Sequence, residues 1–413
     1  MTTAPPRTHT DLLETFRTVR TLTDRLTRDL SPEDQTPQSM TEASPVKWHR
    51  AHTTWFFEEF VLGADPAYRP RHPAFRFLFN SYYEAVGARH PRPDRGLVTR
   101  PGVAEVAAYR RDVEEQVDAA LEAGRLDDDR LALVELGCHH EQQHQELLLM
   151  DLKHLLSRNI VQPVYVERAP DEHSPTAPCT WTHVPGGLAE IGHDGLGFAY
   201  DNEGPRHRVW LEDVELASRQ VANGEWMEFI ADGGYTRPEL WLSDGWGALQ
   251  GSDRRAPGYW QQEDDGAWTT FTLSGRRPVI AAEPVCHVSF FEADAFARWA
   301  GCRLPTEQEW EAWATSRPRV DGPLLDPDRC HPAPASDVTL GGVWEWTSSA
   351  YLPYPGFAPV EGAVGEYNGK FMNDQHVLRG ASAVTPPGHQ RTTYRNFYPA
   401  ASTWAFTGLR LAR

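Results

Sequence analysis

His140-Glu141-Gln142-Gln143-His144, continued by Gln145 and Glu146, lies within Leu131–Leu156, a stretch rich in Leu, Glu, Gln and Lys with no Gly after Cys138. That composition predicts a helix. Two histidines at i and i+4 share one helical face, about one turn apart, so their imidazoles can converge on one metal ion. A helix of this kind supplies only two ligands. Where the third comes from decides both the chemistry and the way the surrounding helices must pack.

The same five residues fit HExxH, the zinc-protease helix, with Glu141 as general base. Metzincin-type chains continue with a Gly and a third His. Here the continuation is Gln145-Glu146-Leu147-Leu148-Leu149-Met150-Asp151, which carries neither. A later Glu, as in thermolysin-type chains, stays open on spacing alone. The bland alternative, ordinary surface or core histidines, is weakened by the i,i+4 pair and its neighbour His139.

A candidate third ligand lies upstream in Trp48-His49-Arg50-Ala51-His52-Thr53-Thr54-Trp55-Phe56-Phe57-Glu58-Glu59-Phe60. Trp48, His52, Trp55, Phe56 and Phe60 recur at three and four, a helical stripe. His52 falls on the stripe and His49 is displaced from it. A histidine on an apolar face is usually a hydrogen-bonded core residue. The His140/His144 pair, needing a partner from a neighbouring helix, favours His52 as a ligand. Nitrogen-only ligation with open positions suits iron(II) or zinc without choosing between them.

The chain has 413 residues, which predicts more than one core. Its formal net charge of −18 argues against a nucleic-acid-binding surface. Five cysteines, Cys138, Cys179, Cys286, Cys302 and Cys330, are dispersed without CxxC spacing, as expected of reduced thiols in a cytoplasm. Met1 to Thr10 is polar and Pro-rich, and no run of 18 apolar residues occurs, so neither export nor membrane spanning is expected.

Residues 8–158 read as helical. Leu12–Leu30 is amphipathic and stops at Ser31-Pro32, Pro45 opens the Trp48 helix, and Val103–Ala123 and Leu131–Leu156 complete a set of four. That set predicts an up-and-down bundle, a common host for metal sites built from facing helices. A long connection, roughly Ala64–Pro101, joins the second and third helices. Residues 159–180 are Pro-rich and look like a linker. From 181 to 413 the chain is dense in Gly, Trp and Pro with short strand-like pieces, an α+β pattern. Helices are expected at Asn223–Asp232, at Ser289–Ala300, and after Thr306, which caps with Glu309 three residues on.

Several strings, taken together, resemble the iron(II)-dependent sulfoxide synthases of ergothioneine biosynthesis. In the first half they are Lys47-Trp48-His49-Arg50-Ala51-His52-Thr53-Thr54-Trp55-Phe56, Phe79-Asn80-Ser81-Tyr82-Tyr83-Glu84 and His139-His140-Glu141-Gln142-Gln143-His144-Gln145-Glu146. In the second they are Arg303-Leu304-Pro305-Thr306-Glu307-Gln308-Glu309-Trp310-Glu311, Gly342-Val343-Trp344-Glu345-Trp346-Thr347, Gly365-Glu366-Tyr367-Asn368-Gly369-Lys370-Phe371 and Tyr394-Arg395-Asn396-Phe397-Tyr398-Pro399. Their order and joint presence span nearly the whole chain. The resemblance implies a multidomain α and α+β chain: a DinB-like four-helix bundle over 8–158, a linker over 159–180, and a C-type-lectin-like domain of the formylglycine-generating-enzyme type over 181–413.

It further implies that His52, His140 and His144 hold Fe(II), leaving positions for the substrate imidazole, a sulfur donor and dioxygen. Gln143 and Asn396 match positions that contact hercynine, the trimethylated histidine betaine. Phe397 could meet the trimethylammonium by cation–π attraction, a contribution of ~0.5–2 kcal/mol. The competing reading of Phe397 and of Trp404 is core packing. In one branch of the family a Tyr pair at the place of Tyr82 and Tyr83 supplies the proton-donating phenol, and Tyr82 is the favoured member here. A phenol of pKa near 10 is protonated at neutral pH and so can donate.

Members that use γ-glutamylcysteine carry an Asp, and an Arg a few residues later, where this chain has Tyr398 and Thr403. That points to free cysteine, with Arg89 and Arg92 as candidate clamps for its carboxylate, or else as solvated loop charges. The family commonly has Gly-Gly-Ser-Cys-Ala-Thr where Gly380-Ala381-Ser382-Ala383-Val384-Thr385 stands, and Arg-Trp-Gln-Phe-Ser-Gly where Thr403-Trp404-Ala405-Phe406-Thr407-Gly408 stands. Selenoneine synthases, which join hercynine to a selenosugar, share the architecture and keep a selenol donor open. The implied partners are therefore small molecules: hercynine, cysteine or a related thiol or selenol, and dioxygen. No oligomeric state follows from the sequence.

Three other classes compete. A copper-dependent formylglycine-generating oxidase needs a late cysteine pair, and none follows Cys330. A zinc hydrolase or DinB-type thiol transferase would hold zinc instead of iron. A lectin-like binding module would leave the three histidines without a purpose. Trp344-Glu345-Trp346 reads as a structural feature of the second domain.

Overall fold

The computed structural model of the protein describes residues 8–168, 175–359, 365 and 368–413. Glu366 and Tyr367 of the Gly365–Phe371 string, the first seven residues, and 169–174 of the expected linker lie outside the described residues. The chain divides into two compact units. Of the described residues, one comprises 8–159 with 195–198, 359 and 365; the other comprises 160–168, 175–194, 199–358 and 368–413. Among the described residues no helix is long and apolar enough to cross a membrane.

The first unit is built on four long helices: α1 (His9–Thr27), α2 (Val46–Phe56), α4 (Val103–Glu122) and α5 (Asp128–Ser157), with the short α3 (Phe75–Leu78) in the long connection. Each start has a local cause. Thr8 and Asp11 form a capping box before α1, and the Asp127 side chain accepts from the Arg130 N–H at 3.0 Å before α5. Pro45 occupies the cap position of α2. Both α1 and α2 pack against both α4 and α5, so α2 and α5 are neighbours in the bundle. Leu12, Phe16, Val19 and Leu26 of α1 are buried, which is the apolar stripe read from Leu12–Leu30.

The α2 helix does not continue regularly through Phe60. Phe57–Leu62 forms a π-helical turn, seen in the Gly63 N–H donating 2.8 Å to the Glu58 carbonyl five residues back. Its anchor is the buried Glu58 carboxylate, which accepts from Tyr109 Oη at 2.5 Å, Tyr68 Oη at 3.0 Å and the Arg71 N–H at 2.8 Å. The widened turn carries Phe57 against α5 at Gly137. A Cβ there would lie 2.5 Å from Phe57 Cε1, so only glycine allows this approach one turn before His140.

The second unit opens with β1 (Trp181–Val184), β2 (Gly187–Ile191), β3 (His207–Leu211) and β4 (Val214–Ala217), where β1 pairs with β4 and β2 with β3, both antiparallel. Then follow α6 (Asn223–Ala231), α7 (Ser243–Gln250) and an antiparallel sheet of β5 (Trp260–Gln262), β6 (Trp268–Thr272) and β7 (Gly275–Pro278). Next come α8 (Phe290–Trp299) and α9 (Glu307–Thr315), both opened by capping boxes, Ser289 with Glu292 and Thr306 with Glu309. The chain ends with β8 (Trp344–Ala350), β9 (His376–Gly380), β10 (Asn396–Tyr398) and β11 (Thr407–Gly408), ordered β10-β9-β8-β11. β11 is parallel to β8, pairing Thr407 with Trp344. The core around Trp310 and Trp313 packs on Val184, Val214, Leu216, Leu340 and Ala412. The mixture of short strands and helices is α+β; α7 was not visible as a periodic pattern.

Candidate metal centre

His52 of α2 and His140 and His144 of α5 are all buried, and each offers a ring nitrogen within 4.8 Å of the others'. Their ring centroids lie 4.6–4.9 Å apart. His52 Nε2 stands 3.1 Å from His140 Nε2. Two nitrogens each about 2.1 Å from one centre and at right angles would be about 3 Å apart, so the spacing fits a shared cation.

The ring orientations have local causes. His52 Nδ1 donates to the Phe79 carbonyl at 2.6 Å; a carbonyl only accepts, so the proton sits on Nδ1 and the Nε2 lone pair faces the cluster. Its ring lies between two indoles of its own helix, stacked on Trp48 at 4.6 Å and on Trp55 at 5.7 Å. Those are the positions one turn before and one turn after it. The Arg95 guanidinium lies 3.4 Å over the Trp48 ring and donates to Ser44 Oγ and Ser81 Oγ at 2.9 Å each. Phe56 packs 4.9 Å from His140.

Burial sets the protonation. It pushes the His140 imidazolium down to about 3, and holds His52 and His144 well below the usual histidine range, with the neighbouring imidazoles adding to the effect. The cluster is neutral near pH 7, the state in which imidazole ligates a metal.

Glu141 does not act as the HExxH pattern requires. It is buried and accepts from Thr23 Oγ1 at 2.6 Å, Arg20 Nη1 at 2.8 Å and Arg110 Nη2 at 2.8 Å. Burial would raise its carboxyl, but Arg110 and Arg20 outweigh that and hold it down at about 2. A carboxylate locked to two arginines and a threonine is a structural tie between α1, α4 and α5, not a general base. The zinc-peptidase reading of these five residues is corrected on that ground.

His49, which the stripe left displaced, is buried beside the cluster. Its Nδ1 lies 2.9 Å from His144 Nδ1, and its Nε2 lies 3.0 Å from Asp151 Oδ2. The Asp151 oxygen also accepts from the Ser44 N–H at 2.8 Å. Sequence reasoning missed His49, Asp151 and Gly137. The signal was there in part: Asp151 is two turns beyond His144 on the same face of α5, and His49 is one turn before His52 on α2. His139 points elsewhere and stacks 3.8 Å on Phe198.

The other candidates of the first unit fall in two groups. Tyr83 is buried among Trp55, Phe60 and Tyr82, with centroids at 5.7, 5.2 and 4.7 Å, and Tyr82 is half-buried. Asn80, itself buried, fixes this turn: its Oδ1 accepts from the Tyr83 N–H at 3.1 Å and its Nδ2 donates to the Tyr83 carbonyl at 3.0 Å. Gln143 is half-buried on α5. Arg89 and Arg92 are exposed; Arg89 donates 2.8 Å to the Ser81 carbonyl and pairs with Glu84 at 2.8 Å.

In the second unit, Asn396 opens β10, and Phe397 stacks 4.1 Å on Tyr351. Phe397 and Trp404 are half-buried, so neither is the fully buried core residue that packing alone predicted. The strand is held by Arg395, whose Nε and Nη2 grip the Glu307 carboxylate at 2.8 and 2.9 Å. Tyr398 packs edge-on against Trp404 at 5.8 Å, and Thr403 Oγ1 accepts from Arg254 at 3.2 Å.

Comparison with known proteins adds to this geometry. Residues 15–148 match the DinB superfamily, and 168–319 match the sulfatase-modifying factor enzyme 1-like domain. A protein of Mycolicibacterium smegmatis named hercynine oxygenase is 33% identical over 409 residues, covering 89% of this chain and 91% of that protein. The hercynine oxygenase of Mycobacterium tuberculosis is 32% identical with the same coverage of each chain. Ergothioneine biosynthesis protein 1 of Schizosaccharomyces pombe is 30% identical over 232 residues, covering 52% of this chain and 28% of that protein.

Proposed function

The chain belongs to the hercynine oxygenase family, and from that premise we propose that it joins hercynine to free cysteine at an iron(II) centre held by His52, His140 and His144. It is an oxygenase with a sulfoxide synthase role in ergothioneine biosynthesis. The observation that carries the metal assignment is the convergence of three buried, neutral imidazoles from two helices, with no carboxylate among them. Iron(II) bound there would supply dioxygen activation and open coordination positions for the reacting groups.

The remaining roles belong to the chain's own side chains. Gln143, one residue before a ligand, orients hercynine by hydrogen bonding. Asn396 and Phe397 are assigned to hercynine as well, Phe397 through the π face that its stack on Tyr351 fixes. Tyr82, half-buried beside the Tyr83 backbone that Asn80 clamps, donates the proton, with Tyr83 as the alternative donor. Arg89 and Arg92 take the donor's carboxylate, both being exposed, with Arg89 exchanging its ion pair to Glu84 for it. Uncharged Tyr398 and Thr403 favour cysteine over a γ-glutamyl donor. Five cysteines, none in a disulfide among the described residues, favour a reducing cytoplasm as the working compartment.

The test mixes anaerobic iron(II)-loaded protein with hercynine and cysteine, admits air, and reads the products by mass spectrometry. Parallel arms contain γ-glutamylcysteine and a selenosugar. A cysteine–hercynine sulfoxide is expected, and a selenium adduct alone would transfer the assignment to the selenol donor. No adduct in any arm ends the reading. Tyr82→Phe is expected to retain iron and hercynine while diverting dioxygen to oxidise cysteine to its sulfinic acid; an unchanged sulfoxide yield moves the role to Tyr83.

A further inference from the structure

We propose that His49 and Asp151 are positioning residues of the metal centre: a buried Asp151–His49–His144 chain that fixes which nitrogen His144 presents and strengthens it as a ligand. The inference rests on the metal reading above and deepens it.

The proton positions follow from the partners. Asp151 Oδ2 already accepts the Ser44 N–H at 2.8 Å, so His49 Nε2, 3.0 Å away, is the donor in that pair. Neutral His49 then has a lone pair on Nδ1. His144 Nδ1, 2.9 Å away, must donate into it. What remains on His144 is the Nε2 lone pair, the only nitrogen free to bind a cation. One tautomer is thereby selected at each step, and reversing any link would set hydrogen against hydrogen or lone pair against lone pair.

The chain is placed to matter. His49, Asp151 and His144 are 3%, 6% and 8% exposed, so water does not compete for these bonds. All three sit on the two helices that carry the ligands, His49 on α2 and Asp151 and His144 on α5. The two ligand helices are treated differently. His52 is backed by a neutral backbone carbonyl at 2.6 Å. His144 is backed, through one intervening imidazole, by a carboxylate, whose charge draws the Nδ1 proton outward and leaves more electron density on Nε2. Arg95 meets the same assembly from its far end through Ser44 Oγ, tying it to the Ser81 turn next to Tyr82.

The alternative is a plain clamp between α2 and α5, and the experiment separates the two. The full chain and its Asp151→Asn, His49→Phe and Glu58→Gln variants are titrated with cobalt(II) against a competing chelator. The ligand-field spectrum and the unfolding of the metal-free form are recorded alongside. Asp151→Asn keeps the size of the side chain, and Glu58→Gln perturbs an equally buried carboxylate of the same bundle whose partners among the described residues are Tyr109, Tyr68 and the Arg71 backbone. Expected is a 10–100-fold loss of cobalt affinity in Asp151→Asn and His49→Phe, with shifted absorption bands, and no such change in Glu58→Gln. Wild-type affinity and spectrum in both relay variants overturn the inference whatever their stability. So does an equal loss in Glu58→Gln, which would mean that any loosening of the bundle suffices. If wild type and His140→Ala bind cobalt alike, the metal reading itself fails, a result distinct from either.

Discussion

At the centre of the first unit nitrogen faces nitrogen; at the centre of the second a carboxylate faces donors. His52 Nε2 and His140 Nε2 stand 3.1 Å apart in a buried pocket of neutral imidazoles. Glu345 of β8, equally buried, accepts from Gln220 and Arg410 Nη2 at 2.8 Å each through Oε1, and from Trp310 Nε1 at 2.6 Å and Arg410 Nε at 2.9 Å through Oε2. Arg410 spends its other donors on the Ala217 and Val338 carbonyls. The two clusters are similar in burial and opposite in completeness. A ring of like acceptors is stable only with a proton or a cation among them, and burial disfavours the proton. A closed ring of unlike partners needs nothing further. Burial of polar groups thus points to a site where like acceptors face one another, which is why the Trp344-Glu345-Trp346 string is architecture and the three-histidine cluster is the proposed metal centre.

The strongest way to break that contrast is to remove one member from each. His140→Ala is expected to abolish iron retention and sulfoxide formation while costing the metal-free chain only the packing of one ring against Phe56, because on the proposed assignment it deletes a metal ligand. Metal analysis of the purified protein and product assays check it. Retained iron would mean that the cation sits elsewhere. Glu345→Ala should do the reverse. It strands Arg410 in the core and costs roughly 3–5 kcal/mol, a fall in melting temperature on the order of 10 °C for a unit of this size. The folded fraction should still bind iron. Loss of less than about 1 kcal/mol would show that the network is not what holds β8.

How much of this was legible in the sequence differs between the units for a physical reason. The first unit is written in local periods. Pro45, the Trp48–Trp55 stripe and the i,i+4 histidines each report on one helix, and the helices then have few ways to pack. What stayed hidden was tertiary. Nothing local says that displaced His49 reaches across to Asp151, or that Glu58 collects acceptor bonds that open a π turn where the stripe continues unbroken. In the second unit the strands are two to seven residues long and the pairings are remote, such as Thr407 beside Trp344, so composition announced short strands and turns but no order. The cap at Thr306 was readable because a capping box is complete within four residues, whereas the same device at Ser289 and Glu292 went unread.

Gly137 sharpens the comparison, since it links packing to the ligand set. Its missing Cβ lets the Phe57 ring approach α5, and the next turn of that helix carries His140. Gly137→Ala gains helix propensity but pushes a methyl into a ring held by the π turn. A net cost of about 1–3 kcal/mol is expected from the overpacking, together with weaker cobalt binding, because α5 must move away from His52. Urea unfolding of the metal-free protein and the chelator titration read the two effects separately. Unchanged binding with lower stability would show that the ligand geometry tolerates a shift of the helix.

The smallest expected effect concerns acid. Glu203 of the second unit is buried, and burial would raise its carboxyl. Arg391, donating at 2.6 Å, and Thr393 Oγ1, at 2.6 Å, outweigh that and hold it below the ordinary value of 4.5. The folded state therefore releases this proton more readily than the unfolded chain. Well above 4.5 both states are ionised and the pairing contributes in full. As pH falls through 4.5 towards the lower folded value, the unfolded chain takes up its proton first and the contribution drains away. Glu203→Gln should be less stable than the parent at pH 7 and should lose less on going from pH 5 to about 3, as read by urea unfolding at several pH values. The effect is modest because only the difference in proton affinity between the two states counts. An equal slope in parent and variant would move the acid sensitivity to other paired carboxylates of the unit, Glu283 beside His331 first among them. It would leave the contrast between open and closed clusters standing on the larger effects alone.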